Sequence, residues 1–371
     1  MEKRPMKDMM VGRQGLGCMG WSAFYESAAR TTEESAAEVF KAAVDAGVTL
    51  FNTADFYGPL TAEGYGANLR LLRKCLEKSG VERSQVQIMC KLGVDTRDGS
   101  FKHNASASEL RRTVDWALEQ LGTDYLDILV LNREDPEVPL RESVEALAQL
   151  VAEGKGRHIG LSEFSAANVR LAASVAPICC LEMEWSLMSR DLEEQIVPTC
   201  RELGICIVAY SPLCRGLLTG AFQEAPKDFR GSGGQPRFAA ENLARNLALV
   251  GQLEQIAAKK GCTASQLALA WVHAQGADVF PIPGTSSLRN LQSNLQAATL
   301  HLSPEDLAEI QQACPASEAE LPRKGACGPG LRAGLHVVLK RRLQDAARPE
   351  EPAPQRASGE RPEVSEEPEQ L

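Results

Sequence analysis

The sequence predicts an α/β protein, a (β/α)8 TIM barrel followed by a disordered C-terminal tail. Three observations carry that prediction. Short apolar runs alternate with stretches of helical periodicity along most of the chain. The runs are continuously apolar rather than alternating, as parallel strands covered on both faces must be. Counting a first strand near 16–18, eight such units fit into about 300 residues, which favours a closed barrel over an open doubly wound sheet.

After the first strand the others are expected at 48–52 (V-T-L-F-N), 86–91 (V-Q-I-M-C-K), 126–132 (L-D-I-L-V-L-N), 158–162 (H-I-G-L-S), 178–183 (I-C-C-L-E-M), 205–211 (I-C-I-V-A-Y-S) and 279–284 (V-F-P-I-P-G). Ala36, Val39, Phe40 and Ala43 recur at helical spacing within 32–46 and stop at Gly47. Leu110, Val114, Ala117, Leu118 and Leu121 mark a helix closed by Gly122, and 140–152 follows Pro139 and ends at Gly154. Asp191 is placed to cap a helix running towards Leu203 and Gly204, and Ser303-Pro304-Glu305 opens the last one. The barrel is assigned to residues 14–314, with chemistry expected at the carboxyl ends of the strands.

Residues 315–371 form an extension. Leu331, Leu335, Val338, Leu339 and Leu343 recur beside Lys340, Arg341 and Arg342, which predicts a short amphipathic helix over about 330–344. A helix docked on the barrel or frayed in solvent is preferred over one that binds a protein partner or a membrane surface. From 346 onward five Pro and seven Glu leave too little apolar area to order the tail.

The net charge of −9 argues against a nucleic-acid-binding surface, which needs clustered cations. No apolar run reaches the ~18–20 residues of a membrane span. No apolar stretch follows the basic residues near the start, so no secretory signal is expected. Eleven irregularly spaced cysteines without a C-x-x-C, and five histidines at no zinc-like spacing, predict free thiols, a cytoplasmic location and no metal site. Residues 15–20, G-L-G-C-M-G, fit G-x-G-x-x-G. A poor strand precedes them and no helix opens on the last glycine, so they read as a turn closing a first barrel strand rather than a dinucleotide fingerprint.

The polar residues at the expected strand ends are Asn52, Asp55, Tyr57, Lys91, Asn132, Arg133, Asp135, Ser162, Glu163, Glu182, Glu184, Tyr210 and Ser211. A tyrosine beside a lysine is a usable general acid, because the cation lowers the phenol pKa towards neutrality. A half-buried rim tyrosine and a solvated lysine are the structural alternative.

Six segments resemble, in order and spacing, the aldo-keto reductases: F-N-T-A-D-F-Y-G (51–58), C-K-L-G (90–93), L-N-R-E-D-P (131–136), E-G-K-G-R-H-I-G-L-S-E-F-S (153–165), A-Y-S-P-L-C-R-G-L-L-T-G (209–220) and P-I-P-G-T (281–285). The resemblance covers about 15–309 and is closer to the bacterial- and plant-type reductases and the potassium-channel β subunits than to aldose reductase. It implies a (β/α)8 barrel that reduces aldehydes and ketones by hydride transfer from NADPH. Tyr57 matches the proton-donating Tyr, and Lys91 the Lys that lowers its pKa. Asn52 stands where the family has an Asp paired with that Lys, and Asn132 where most members have His. Glu182 stands where a Gln lies under the nicotinamide carboxamide. The resemblance places Tyr210 on the nicotinamide face and Ser162 and Glu163 at its carboxamide. It assigns Ser211, Leu213 and Gly216 to pyrophosphate and Gly284, Thr285, Ser286, Arg289, Asn290 and Asn294 to the adenosine 2′-phosphate region. Gly20 and Trp21 complete the cofactor set. Members often carry Lys or Arg directly after P-G-T, whereas this chain has Ser286-Ser287; NADP(H) is expected, with NADH as the alternative. Members also have a β-hairpin that closes the barrel floor, and residues 1–14 offer none clearly.

The loss of Asp at position 52 removes an anion next to Lys91. Either Lys91 gives up its proton, or another carboxylate compensates, with Asp55 and Glu182 the nearest by motif position. The substitutions leave two readings: a carbonyl reductase of reduced activity, or a nicotinamide-binding sensor or scaffold like the channel β subunits. The substrate is expected to be a small carbonyl compound. Trp21, Phe24, Tyr25 and Trp185 suggest an apolar or aromatic one, and the loops 21–30, 94–108 and 221–240 carry no cationic cluster that would select an acidic one.

Overall fold

The computed structural model describes residues 1–315; the expected helix over 330–344 and the tail lie outside them. The chain opens with an antiparallel hairpin, β1 (Lys3–Met6) and β2 (Met9–Gly12). Barrel strands follow as β3 (Leu16–Gly17), β4 (Leu50–Ala54) and β5 (Gln87–Leu92). A two-residue pair, β6 (Val94–Asp95) and β7 (Lys102–His103), sits in the loop after β5. The barrel continues with β8 (Leu126–Leu131), β9 (Gly156–Ser162), β10 (Ile178–Glu184), β11 (Cys206–Tyr210) and β12 (Val279–Pro281). These eight strands are parallel, in the order β12-β11-β10-β9-β8-β5-β4-β3, and nearly close on themselves.

At the seam, Gly15 N–H donates to the Pro281 carbonyl at 2.9 Å. A Cβ at Gly15 would meet Leu50 O at 2.8 Å, and one at Gly17 would meet Ile282 O at 3.0 Å. Gly15 and Gly17 are therefore explained by close backbone packing on the neighbouring strand and at the barrel seam, not by a bound pyrophosphate.

Among the described residues, ten α-helices cover the outside: α1 (Glu33–Asp45), α2 (Ala67–Ser79), α3 (Ala107–Leu121), α4 (Leu140–Ala152), α5 (Ala166–Val175), α6 (Leu192–Glu202), α7 (Ala240–Lys259), α8 (Ala264–His273), α9 (Leu288–Ala297) and α10 (Pro304–Ala313). Thr32 caps α1 through Ser35 N, and Ser303 caps α10 through Asp306 N, each in a reciprocal box. Asp191 precedes α6 but its side chain makes no cap. The apolar faces of the helices and the outward strand residues form one continuous core.

The floor of the barrel corrects a sequence expectation. The hairpin is present, and Met6, Met9 and Val11 pack with Leu50, Met89, Ile128, Val130, Cys180, Val208 and Phe280 inside the barrel. Its signal was weak because β1 reads K-R-P-M and because Lys7 supplies the left-handed turn residue (φ 56°) where glycine or asparagine is usual.

Candidate active site

Side chains on a strand alternate between faces, so a residue two places after an inward one also points inward. Leu50, Met89, Val130, Cys180 and Val208 fill the interior. Asn52, Lys91, Asn132, Glu182 and Tyr210 follow them by two residues, one layer nearer the carboxyl ends. The parity of the strands thus assembles these groups at one mouth.

There Lys91 Nζ donates to Asn52 Oδ1 at 2.6 Å and to Glu182 Oε1 and Oε2 at 3.0 and 3.2 Å. Asn52 Nδ2 donates to Glu182 Oε2 at 2.8 Å, closing a three-residue ring. Lys91 and Glu182 are each 3% exposed. Burial is the largest single influence and works against the ammonium, yet Glu182 and Tyr57 together outweigh it and the Lys91 pKa lies above its ordinary value. The compensating carboxylate is therefore Glu182. Asp55 lies elsewhere: it accepts a hydrogen bond from the Tyr65 hydroxyl at 2.7 Å, and burial pushes its carboxyl up to about 8.

Tyr57 shares this environment, with Lys91 Nζ 5.0 Å from the ring centroid. Its backbone carbonyl accepts from Asn68 N at 3.0 Å and from Ser22 Oγ at 3.0 Å. Asn68, fully buried on α2, also donates to Cys18 O and Ser22 Oγ and accepts from Thr53 Oγ1. The Asn68 side chain thereby ties the loop after β3 to strand β4, while its backbone N–H and the Ser22 hydroxyl hold the Tyr57 segment. Sequence reasoning missed Asn68, since a lone Asn on an amphipathic helix carries no motif. The expected fall of the phenol pKa towards neutrality is not found. Burial outweighs the Lys91 ammonium, and the Tyr57 pKa is pushed up to about 12.

Asn132 lies on the same side. Its Oδ1 accepts from Arg133 Nη1 at 3.2 Å, while its Nδ2 is buried without a partner. Arg133 Nη1 also donates to Ser162 Oγ at 3.0 Å, so Asn132 and Ser162 are linked through one guanidinium. Glu163 adopts a left-handed backbone (φ 63°), and its carboxylate accepts from Glu184 N at 3.0 Å.

The remaining residues from the cofactor set fall into two groups. Beyond Tyr210, residues 211–216 turn tightly, with Ser211, Cys214, Arg215 and Gly216 all at positive φ. Gly216 N–H is turned back to Leu213 O at 2.9 Å. The second group surrounds the start of α9. Ser287 caps Asn290 N, Arg289 and Asn290 are exposed, Gly284 is exposed, Thr285 and Ser286 are half-buried, and Asn294 is buried. Trp21 belongs to this side: its indole N–H donates to Thr285 O at 2.7 Å, which fixes the ring in the core. The Gly20 carbonyl accepts from Ser27 Oγ at 2.7 Å. The Tyr210 hydroxyl and Asn132 Nδ2 are buried polar atoms lacking partners at the barrel mouth. Such atoms suit a polar ligand such as a nicotinamide carboxamide, and a cation at the start of α9 suits a phosphate, so the residues present fit a nicotinamide dinucleotide.

The expectation of no cationic cluster over the site is corrected. Two separate segments, 211–220 and 221–238, bring Arg215 and Arg237 to Glu184, which sequence spacing concealed. Arg237 Nη1 lies 2.6 Å from Glu184 Oε1 and 2.7 Å from Cys214 Sγ. Arg215 Nη2 lies 3.8 Å from Glu184 Oε2. An aromatic roof covers Tyr57: the ring of Phe24 lies 6.4 Å from that of Tyr57 and 6.1 Å from those of Phe101 and Phe229.

Among the described residues, ten cysteines are free, no group of His, Cys, Asp and Glu is arranged to hold a metal, and no helix is long and apolar enough to cross a membrane.

A parallel eight-stranded barrel whose mouth gathers a phenol, a paired ammonium, an unpartnered amide nitrogen and an unpartnered hydroxyl belongs to the class of barrel oxidoreductases that act on carbonyl compounds with a nicotinamide cofactor. The chain is a member of the aldo/keto reductase family, whose model matches residues 15–314. Among solved structures, the glycerol dehydrogenase AKR11B4 from Gluconobacter oxydans is 23% identical, with a TM-score of 0.74 over 87% of this chain and 98% of that one. A thermostable aldo-keto reductase solved with the inhibitor epalrestat is 26% identical, with a TM-score of 0.66 over 84% of this chain and 100% of that one.

Proposed function

We propose that the protein reduces an aldehyde or ketone with NADPH, with Tyr57 as the proton donor and the Lys91–Glu182–Asn52 ring as its electrostatic support. The observation that carries this reading is the Glu182 carboxylate on Lys91, which restores beside Tyr57 the counter-charge that Asn52 cannot supply. The cofactor, when bound, supplies a hydride to the carbonyl carbon. Tyr57 remains protonated through the neutral range and donates its O–H to the carbonyl oxygen as negative charge builds there. Lys91, kept charged by Glu182, stabilises the phenolate left behind. Asn132 directs its free Nδ2–H towards the same oxygen and, unlike a histidine, neither gains nor loses a proton. Tyr210, Ser162, Glu163, Ser211, Leu213 and Gly216 hold the nicotinamide and pyrophosphate, with Gly20 and Trp21 bordering them. Gly284, Thr285, Ser286, Arg289, Asn290 and Asn294 hold the adenosine end. Arg289 is the cation available to a 2′-phosphate, which supports NADPH over NADH. The free thiols support a reducing, cytoplasmic setting.

A second reading, a nicotinamide-binding sensor with little turnover, is favoured by the non-titrating Asn132 and by the high Tyr57 pKa. Purified protein, NADPH and a panel of aldehydes including 4-nitrobenzaldehyde separate the two. Turnover followed at the reduced-nicotinamide absorbance band supports the reductase. Tight NADPH binding without turnover across the panel supports the sensor.

A further inference from the structure

Arg215 is a buried cation whose hydrogen-bonding capacity the described residues leave unused. Its side chain is 7% exposed. The guanidinium makes no hydrogen bond to any described residue, and its Nε is buried without a partner. Its one ionic contact among the described residues is the 3.8 Å approach to Glu184 Oε2. Glu184 is already committed, since its other oxygen receives Arg237 at 2.6 Å and Ser189 Oγ at 3.4 Å. One carboxylate therefore faces two guanidinium groups. The neighbouring Arg230 does not alter that balance, because Asp228 holds it on two oxygens at 2.8 and 2.7 Å. Arg133 and Glu163 also face Tyr210, which feels the carboxylate more strongly than the guanidinium. An excess positive charge out of water is costly, and a guanidinium without acceptors adds to that cost.

The surroundings indicate where a compensating anion would enter. The Arg215 guanidinium lies 5.9 Å from the Tyr210 ring centroid and 5.6 Å from that of Phe229. Phe229 packs on Phe24, and Phe24 on Tyr57. Arg215 thus belongs to the chamber that roofs the phenol. Aromatic faces attract its charge but offer none of the oxygen acceptors that its planar fork is shaped for.

We propose that Arg215 is the recognition site for a carboxylate carried by the carbonyl substrate, so that the preferred substrates are aldehyde or keto acids with a flat or apolar middle portion. This inference rests on the reductase reading for its substrate. The same fork would equally take a phosphate oxygen of the dinucleotide, and the test separates the two sources.

The test compares 4-carboxybenzaldehyde with its methyl ester in turnover. In parallel, calorimetry measures binding of 4-(hydroxymethyl)benzoate and its methyl ester to the full chain, with and without NADP+. The native protein is expected to favour the carboxylate in KM and in dissociation constant. In Arg215→Met the carboxylate should weaken about ten- to a hundredfold, the range of a charge-assisted hydrogen bond, while the ester is unchanged. Arg215→Lys, which keeps the charge, should retain part of the preference and serves if the Met variant does not fold. Equal binding of acid and ester to the native protein overturns the proposal. So does an Arg215→Met variant that weakens NADPH binding with the acid preference intact, since the anion is then the cofactor's. A protein that binds the acid through Arg215 but turns over nothing sinks the reductase reading and the substrate assignment with it, leaving Arg215 as a carboxylate-binding site. An active reductase indifferent to the carboxylate does the reverse.

Discussion

Glu182 receives Lys91 at 3.0 Å on one carboxylate oxygen and 3.2 Å on the other, in the barrel interior just below the Tyr57 ring. Asn52 bridges the same two residues, accepting from the ammonium and donating to the carboxylate. The arrangement is an ion pair in which the anion comes from β10 and the neutral amide from β4.

Breaking one side of a buried pair typically costs ~3–5 kcal/mol, because a charge is left without a partner. Glu182→Gln is therefore expected to lower stability by about that amount and to depress turnover. Asn52→Asp alone puts two carboxylates on one ammonium and should bring no gain in rate. The double variant Asn52→Asp/Glu182→Gln moves the anion from β10 to β4 and should recover most of what Glu182→Gln loses. Thermal melts and kcat/KM over the four-member cycle measure this coupling; additive single effects would contradict it.

Asp55 gives a pH signature. Its carboxyl is raised by burial to about 8, against ~3.9 in an unfolded chain. Between those values the folded state holds the proton and the unfolded state does not. The stabilisation is complete below the lower value and is lost as pH rises through the upper one, by up to about 1.4 kcal/mol per pH unit. Asp55→Asn keeps an acceptor for Tyr65 without the charge. Its stability relative to the native protein should rise between about pH 5 and 8.5, which takes in about three-quarters of that window. A flat difference in denaturant midpoints across the range would count against the assignment.

Asn68 positions Tyr57 without reaching the mouth itself. Truncating it leaves Cys18 O, Thr53 Oγ1 and Ser22 Oγ without their amide partner, at ~1–3 kcal/mol for each buried group left unsatisfied. Asn68→Ala is expected to lower the melting temperature by several degrees and to reduce kcat more than it raises KM for the aldehyde, because Ser22, whose hydroxyl holds the Tyr57 carbonyl, loses its amide partner while the backbone N–H of residue 68 stays in place. A variant with native kcat would remove this role.

The floor hairpin is expected to contribute stability rather than chemistry. Met6 is fully buried among the lowest interior residues, so Met6→Ala should cost ~2–5 kcal/mol, read from denaturant unfolding. Cofactor affinity, measured on the folded fraction, should stay at the native value.

The strands were legible because parallel strands covered on both faces read as unbroken apolar runs, and the polar residues ending those runs, from Asn52 to Tyr210, point to the mouth by simple parity. Other features had no local signal. The hairpin β1–β2 is short, cationic and turned at Lys7. The choice between Glu182 and Asp55 as partner of Lys91 depends on which strands face each other across the barrel, which spacing does not encode. The meeting of Arg215, Arg237 and Glu184 depends on how two long loops fold back, and the Tyr57 pKa depends on burial by Phe24, Phe101 and their neighbours.

The most direct test of the account is the rate of NADPH oxidation by the native protein and by Tyr57→Phe, with an aldehyde that the native protein accepts. Native turnover that falls by ~10²–10⁴ in the variant, with NADPH affinity unchanged, is the expected result. Equal rates in the two proteins would contradict the central claim that Tyr57, supported by Lys91 and Glu182, delivers the proton.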